Sequence, residues 1–332
     1  MSKMSIDPTR HALNGPTMGT RWSALFHAAP GFDARPIQMA LQGAVDLVDD
    51  QMSTWKPDSA LMRLNRAAVG EWVVLPAALA QVIDTGLAIG RASDGAFDMA
   101  VGDVVRAWGF GPAEADPAAI RAALALPGLP AHQVIARDGD ALCKHAAVSL
   151  DLNGIAKGYG VDRLAETLQA HGITCALVGI DGEMRALGLR PDGSPWTIAV
   201  EAPDPARRAP QSILALQDAA VATSGDYRHW VEVQGRRLSH TMDPRRRMPL
   251  MSSPASPASV TVIAATCVLA DAWATALMVA GVDAGLALAA RHGLDALFLV
   301  RTDDGTVRSI GAGPLFATGG PCLSDSLPGQ TT

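Results

Sequence analysis

A chain of 332 residues is long enough for one large domain or two modest ones, and for a substantial core. Hydrophobic residues make up 48% and charged residues 18%, which excludes a disordered chain. The net charge of −6 argues against an electrostatic grip on nucleic acid or an anionic membrane.

Residues 1–15 are expected to be flexible, and residues 17–29 read as an opening strand. Apolar residues at helical spacing (Ile37, Leu41, Val45, Val48, Met52) predict an amphipathic helix over 36–54. Asp58 or Ser59 then caps a short helix, SALMRLNRA. Helices follow at 76–92 and 100–107, and an Ala/Pro-rich surface excursion with its own helix at 111–131. Strands are expected around 133–136 and 147–151, a helix over 155–170, and strands at 174–179, 184–188, 196–202, 213–216 and 219–223. A hairpin at 229–240, a loop at Ser252–Pro257, a strand at 259–264, a helix at 269–281 and a closing helix–strand–strand complete the pattern. The polar tail over 321–332 reads as disordered. Short strands in adjacent pairs, with helices between groups, predict an α+β fold of largely antiparallel sheets packed with helices. One domain over 16–320 is expected, with two intertwined subdomains as a variant.

The four cysteines (Cys143, Cys175, Cys267, Cys322) lie far apart with no C-x-x-C pair, the pattern of neither a disulfide framework nor a zinc site. The start lacks the apolar stretch of roughly 7–15 residues that a secretory signal needs. No run reaches the about 18 apolar residues of a membrane span. The expectation from the chain as written is cytoplasmic, or facing the periplasm if the start was trimmed.

Four segments carry chemistry. In SLDLNGIAKGY (Ser149–Tyr159), a β-like run bearing Asp151 breaks at Asn153-Gly154 and opens a helix holding Lys157. Free N–H groups at a positive helix end, with a lysine beside them, suit an anionic ligand; a plain strand–helix turn is the alternative. Lysine is scarce here (Lys3, Lys56, Lys144, Lys157), which draws notice to this one. In VATSGDY (Val221–Tyr227), small polar residues before a glycine allow a close backbone approach, and a hairpin turn would use the same residues. In SHTMDP (Ser239–Pro244), His240 ends a strand and could serve as a general base, since an ordinary pKa of about 6.5 suits proton removal at neutral pH. In ADAWAT (Ala270–Thr275), Asp271 and Thr275 share a helical face and offer the hard oxygen ligands that Mg²⁺ takes; the alternative is Asp271 as the helix N-cap.

Together with Thr17–Thr20, Met52–Trp55, Pro57-Asp58-Ser59, Asn65 and Gly95–Asp98, these segments resemble, in this order over residues 16–281, the ApbE-type FAD:protein FMN transferases. The resemblance implies an ApbE-like, T-fold-related architecture and FAD as substrate. It implies FAD contacts at Met18, Trp55, Ala96, Phe97, Asp98, Asp151, Lys157 and Met242. Magnesium would be held by the Gly154 and Ala274 carbonyls with Asp271 and Thr275, and His240 would activate the acceptor hydroxyl. The implied partner is a flavoprotein subunit of a membrane redox complex, modified at Thr or Ser. Three departures stand out: Trp55 where the family usually has Tyr, Gly179–Glu183 in place of an Asn-x-Gly-Gly-Asp-like run, and Pro244–Arg247 in place of Pro-Arg-Thr-Gly. With water as acceptor, the same site would be an FAD pyrophosphatase; without chemistry, an FAD-binding protein.

Overall fold

The computed structural model describes residues 9–204, 209–227, 230–233, 236–251, 253, 256–302 and 306–316. Residues 1–8 and 317–332, and with them the expected tail, lie outside the described residues.

The chain opens with the hairpin β1 (Thr9–Thr17) and β2 (Thr20–Ala28), so residues 9–15 are strand, not flexible lead-in. Their polar alternation hides them as a sequence signal, because β1 is the edge of its sheet and half-solvated. Helix α1 (Arg35–Met52) buries the five apolar residues that predicted it. Ser59 caps α2 (Ala60–Arg66), its Oγ accepting from the Met62 N–H at 3.0 Å. Then come β3 (Trp72–Val74), α3 (Ala77–Ala92), α4 (Gly102–Ala107), α5 (Pro117–Ala125), α6 (Ala131–Val134), β4 (Ile135–Asp138) and β5 (Ala141–Lys144).

The expected strand at 147–151 is extended chain outside any sheet. Its backbone is satisfied instead by the Asn65 amide, which donates to the Leu150 carbonyl and accepts from the Leu150 N–H, both at 2.8 Å. The backbones of Met99 and Gly102 hold the residues on either side of Leu150, through Asp151 N–H to the Met99 carbonyl and Gly102 N–H to the Ser149 carbonyl. A side-chain amide thus replaces a neighbouring strand.

Helix α7 (Ala156–Ala170) leads to β6 (Ala176–Ile180), β7 (Glu183–Leu187), β8 (Trp196–Glu201), β9 (Pro210–Leu216) and β10 (Ala220–Gly225). The remainder is β11 (Trp230–Val233), β12 (Arg236–Asp243), β13 (Met248–Met251), β14 (Pro257–Ala264), α8 (Cys267–Ala280), α9 (Val282–His292), β15 (Asp295–Arg301) and β16 (Val307–Ala312). Half of the loop expected at Ser252–Pro257 falls outside the described residues; Ser256 N–H donates to the Ser253 carbonyl, and Pro257 already belongs to β14.

One eight-stranded antiparallel sheet, ordered β1-β2-β6-β7-β10-β14-β15-β16, carries the fold. Alternate residues of each central strand face opposite sides, as the two-residue period of a strand requires. Val260, Val262 and Phe298 face the core shared with α3, α7 and α8. Val221 and Ile263 pack on the other side against Trp196 and Ile198 of β8. Helix α8 is buried nearly all round and rich in alanine, which lets it approach both α7 and the sheet closely. A three-stranded sheet, β11-β12-β13, lies with β12 against α8 and α4. The expectation of antiparallel sheets covered by helices is met. Among the described residues, no helix is long and apolar enough to cross a membrane.

Candidate active site

The site forms where the start of α7 meets α8. Helix α8 begins at Cys267 with Thr266 as N-cap residue, so Asp271 lies a full turn inside it and is not its cap. A carboxylate there is enclosed by protein. Its Oδ2 accepts from the Gly158 N–H at 2.9 Å, one of the first-turn donors of α7 that no helix carbonyl can reach. Gly158 is what permits this approach: a Cβ there would lie 2.4 Å from the Cys267 carbonyl oxygen and 2.7 Å from Asp271 Cβ. Gly158→Ala should therefore destabilise the protein by about 1–3 kcal/mol despite alanine's better helix propensity of about 1 kcal/mol, because backbone must move. An unchanged melting temperature would show that the two helices have room to part.

One turn earlier on the α7 side, a Cβ on Gly154 would lie 3.0 Å from Thr275 Oγ1 and 3.3 Å from the Phe97 ring. The predicted metal residues Gly154, Asp271, Ala274 and Thr275 thus come together, with Phe97 against them. Lys157 donates to Glu183 Oε1 at 2.8 Å and lies 3.5 Å from Asp181 Oδ2. Burial works against the ammonium charge, but Glu183, Asp271 and Asp181 outweigh it and raise its pKa. Burial, then the charge of Glu183, raises the pKa of Asp271, and Lys157 opposes this. Glu183 was missed as a site residue in the sequence. The available signal was the Asp181-Gly182 turn, with φ +58° and +147°, which sets Glu183 and Arg185 on one face of β7, pointing at α7.

Asp151 is buried, and its two oxygens accept from Asn153, at 2.9 Å from the backbone N–H and 3.1 Å from Nδ2. Burial pushes its pKa up to about 6, against the Asn153 bond and the Arg106 charge. Between about pH 4 and about pH 6 the folded protein holds a proton that the unfolded chain releases, so stability falls as pH rises through that window, by about 3 kcal/mol in all. In Asp151→Asn, the pH dependence of the unfolding midpoint should flatten between those values. An unaltered profile would mean that Asp151 titrates normally.

Met18, at φ +45° in the β1–β2 turn, reaches α7, its Cε 3.0 Å from a Cβ placed on Gly160. Ala96 and Phe97 are buried. Asp98 accepts from the N–H groups of Ala100 at 2.8 Å and Ala131 at 3.1 Å, and it lines a cavity of about 290 Å³ with Arg91, His132, Arg245 and Arg247. Burial raises the pKa of Asp98. Met242 is buried among Val104, Val105, Ala107 and Ala123, next to that cavity's Pro244. Trp55 stands apart, 63% exposed between α1 and α2.

His240 is half-buried on β12, between buried Ser239 and Thr241, where the pairing with β13 shifts register and Ser239 Oγ accepts from the Thr241 N–H. Such a bulge re-aims a side chain. The VATSGDY segment continues the strand expected at 219–223 and does not form the hairpin turn. Val221–Gly225 belong to the central strand β10, with Thr223 Oγ1 2.8 Å from Thr261 Oγ1 on the face turned away from α8, and Asp226, just beyond the strand, is ion-paired to Arg301 at 2.7 Å.

The sequence model of the ApbE family matches residues 18–298. The chain belongs to the ApbE family. It is 39% identical over 301 residues to the FAD:protein FMN transferase of Vibrio cholerae, covering 88% of each chain. It is 36% identical to that of Escherichia coli K12, covering 88% of this chain and 84% of the relative. In three dimensions this ApbE chain is similar to the flavin transferase ApbE from Vibrio cholerae, with a TM-score of 0.81, 34% identity and 92% and 97% of the two chains covered. It is likewise similar to the apo form of the Pseudomonas stutzeri flavinyl transferase ApbE, with a TM-score of 0.81, 37% identity and 94% and 96% covered.

Proposed function

We propose that this chain transfers FMN from FAD to a Thr or Ser hydroxyl of an acceptor flavoprotein, with Mg²⁺ bound at the α7–α8 junction and AMP released. The printed activity of its relatives supports flavin transfer. The observation that carries the finer reading is the juxtaposition of Asp271 and Thr275 on α8 with Gly154 and Lys157 at the start of α7.

The residues fit magnesium by their charge balance. Lys157 stands against two buried carboxylates, Glu183 and Asp271, beside the exposed Asp181, and Glu183 Oε2 is buried without a hydrogen-bond partner. A buried excess of negative charge is costly unless a cation offsets it. No group of three or more His, Cys, Asp or Glu side chains able to hold a metal occurs among the described residues. Magnesium does not require one, because one or two carboxylates plus substrate phosphates and waters complete its shell. Asp271, Thr275 and the Gly154 and Ala274 carbonyls would hold it, and when bound it would neutralise charge on the pyrophosphate.

The reaction is a phosphoryl transfer. The acceptor oxygen attacks the phosphorus on the FMN side, a P–O ester bond forms, the pyrophosphate bond breaks, and AMP leaves with the bonding electrons. His240 takes the hydroxyl proton. Lys157 stabilises charge on the phosphates. The cavity beside Asp98, with its arginines and His132, suits the remaining nucleotide portion, and exposed Trp55 offers a flat face to a ring.

Incubation with FAD, Mg²⁺ and a flavoprotein subunit bearing a candidate Thr or Ser tests this directly. A mass gain of one FMN on the acceptor is expected. FMN release without labelling would make the chain a pyrophosphatase, and unchanged FAD a binding protein.

A further inference from the structure

The two helices that build the site cap each other. The N-cap residue Thr266 of α8 makes no side-chain capping bond, and its Oγ1 is buried without a partner. The first-turn donors of α8 are satisfied from α7 instead: Asp162 Oδ1 accepts from the Cys267 N–H at 2.8 Å, and Asp162 Oδ2 from the Val268 N–H at 2.9 Å. In return Asp271 of α8 accepts from the Gly158 N–H of α7, whose own N-cap residue Ile155 makes no capping bond either. Each helix start is thus closed by a carboxylate from the second turn of the other.

The contacts step regularly. Moving four residues at a time, Gly154, Gly158 and Asp162 meet Thr275, Asp271 and Cys267 in opposite order. Residues four apart share a helix face, so the three contacts define one antiparallel register. Asp162 itself is buried and held by Arg185 of β7, whose Nη1 donates to Oδ1 at 2.7 Å. On the same face of β7, two residues earlier, Glu183 holds Lys157. One strand therefore anchors both Lys157 and the carboxylate that caps α8.

We propose that Asp162, held by Arg185, is a positioning residue: it sets the register of α8 on α7, and through it the distance of Asp271 and Thr275 from Gly154 and Lys157. This rests on the magnesium reading of the site. Without Asp162, α8 loses its cap at Cys267 and can slide or turn on α7, which loosens the Asp271–Gly158 bond one turn away. Groups that support metal ligands in this indirect way commonly change metal affinity by about 10–100-fold when removed.

The test uses the full chain with FAD and Mn²⁺ as a spectroscopic substitute for Mg²⁺, together with amide hydrogen exchange in the absence of metal. Asp162→Asn should weaken Mn²⁺ binding about tenfold and speed exchange at Cys267, Val268 and also Gly158. The KM for FAD should stay unchanged, and flavin transfer should be low at limiting Mg²⁺ and recover in excess. Arg185→Gln, which keeps the carboxylate, should shift the same readouts in the same direction by less, and covers the case in which Asp162→Asn fails to fold. Asp116→Asn, which alters the equivalent cap of α5, should leave Mn²⁺ affinity at the parental value. Faster exchange confined to Cys267 and Val268 with parental Mn²⁺ affinity would overturn the proposal and leave Asp162 a simple cap. A parent protein that binds no Mn²⁺ with FAD would sink the magnesium reading instead. Exchange at Gly158 would then decide the register alone, with an unchanged rate overturning it.

Discussion

Replacing Asp271 by Asn should abolish Mg²⁺-dependent flavin transfer, by at least about a hundredfold, while the protein melts at or above the parental temperature. The two halves of that result have one cause. Asp271 is a carboxylate enclosed in an apolar helix, and burial followed by the charge of Glu183 holds its pKa well above the ordinary value. A group shifted in this direction destabilises the fold when it ionises, so removing the charge relieves a cost. The asparagine oxygen can still accept from Gly158, which preserves the helix contact. Activity is lost because that one carboxylate supplies the charge nearest Thr275 and Gly154. Calorimetry and an FMN-transfer assay on the same preparation check it. A fully active Asp271→Asn would end the metal assignment, and a large drop in melting temperature would mean that the carboxylate serves structure first.

His240→Ala should slow transfer by about 10²–10⁴-fold, the range that a positioned general base contributes, and leave FAD affinity unchanged. The residue lies on β12, which packs against α8, and the register shift around it separates its direction from that of the regular strand. Measuring kcat for transfer together with FAD binding by fluorescence distinguishes a base from a binding contact. A folded variant that no longer holds FAD would contradict the base role.

Much of this was legible in the sequence. The five apolar residues of α1 lie at helical spacing and are buried as that spacing demands. The strand–glycine–helix break at Asn153-Gly154 leads into α7 within a residue of its expected start. Two kinds of error have clear physical causes. The segment at 147–151 has strand-like alternation but no strand beside it, because a side-chain amide, Asn65, takes the partner's place. The hairpin turn weighed for VATSGDY fails because its small residues extend the strand expected at 219–223, which runs centrally between β7 and β14. Local composition does not reveal which neighbour a backbone will find.

The order and spacing of motifs established the family, the antiparallel α+β class and the pairing of Asp271 with Thr275 on one helical face, since these depend on residues close in the chain and on helix period. What Asp271 faces was open until the fold was assembled. Gly158 and Asp271 are 113 residues apart in the chain, and Cys267 and Asp162 are 105 apart. No local pattern could show that these carboxylates close each other's helices, or that Glu183 and Arg185 of β7 anchor both. Those contacts arise because α7 packs on both β7 and α8, and because glycine at 158 lets its N–H reach the Asp271 carboxylate.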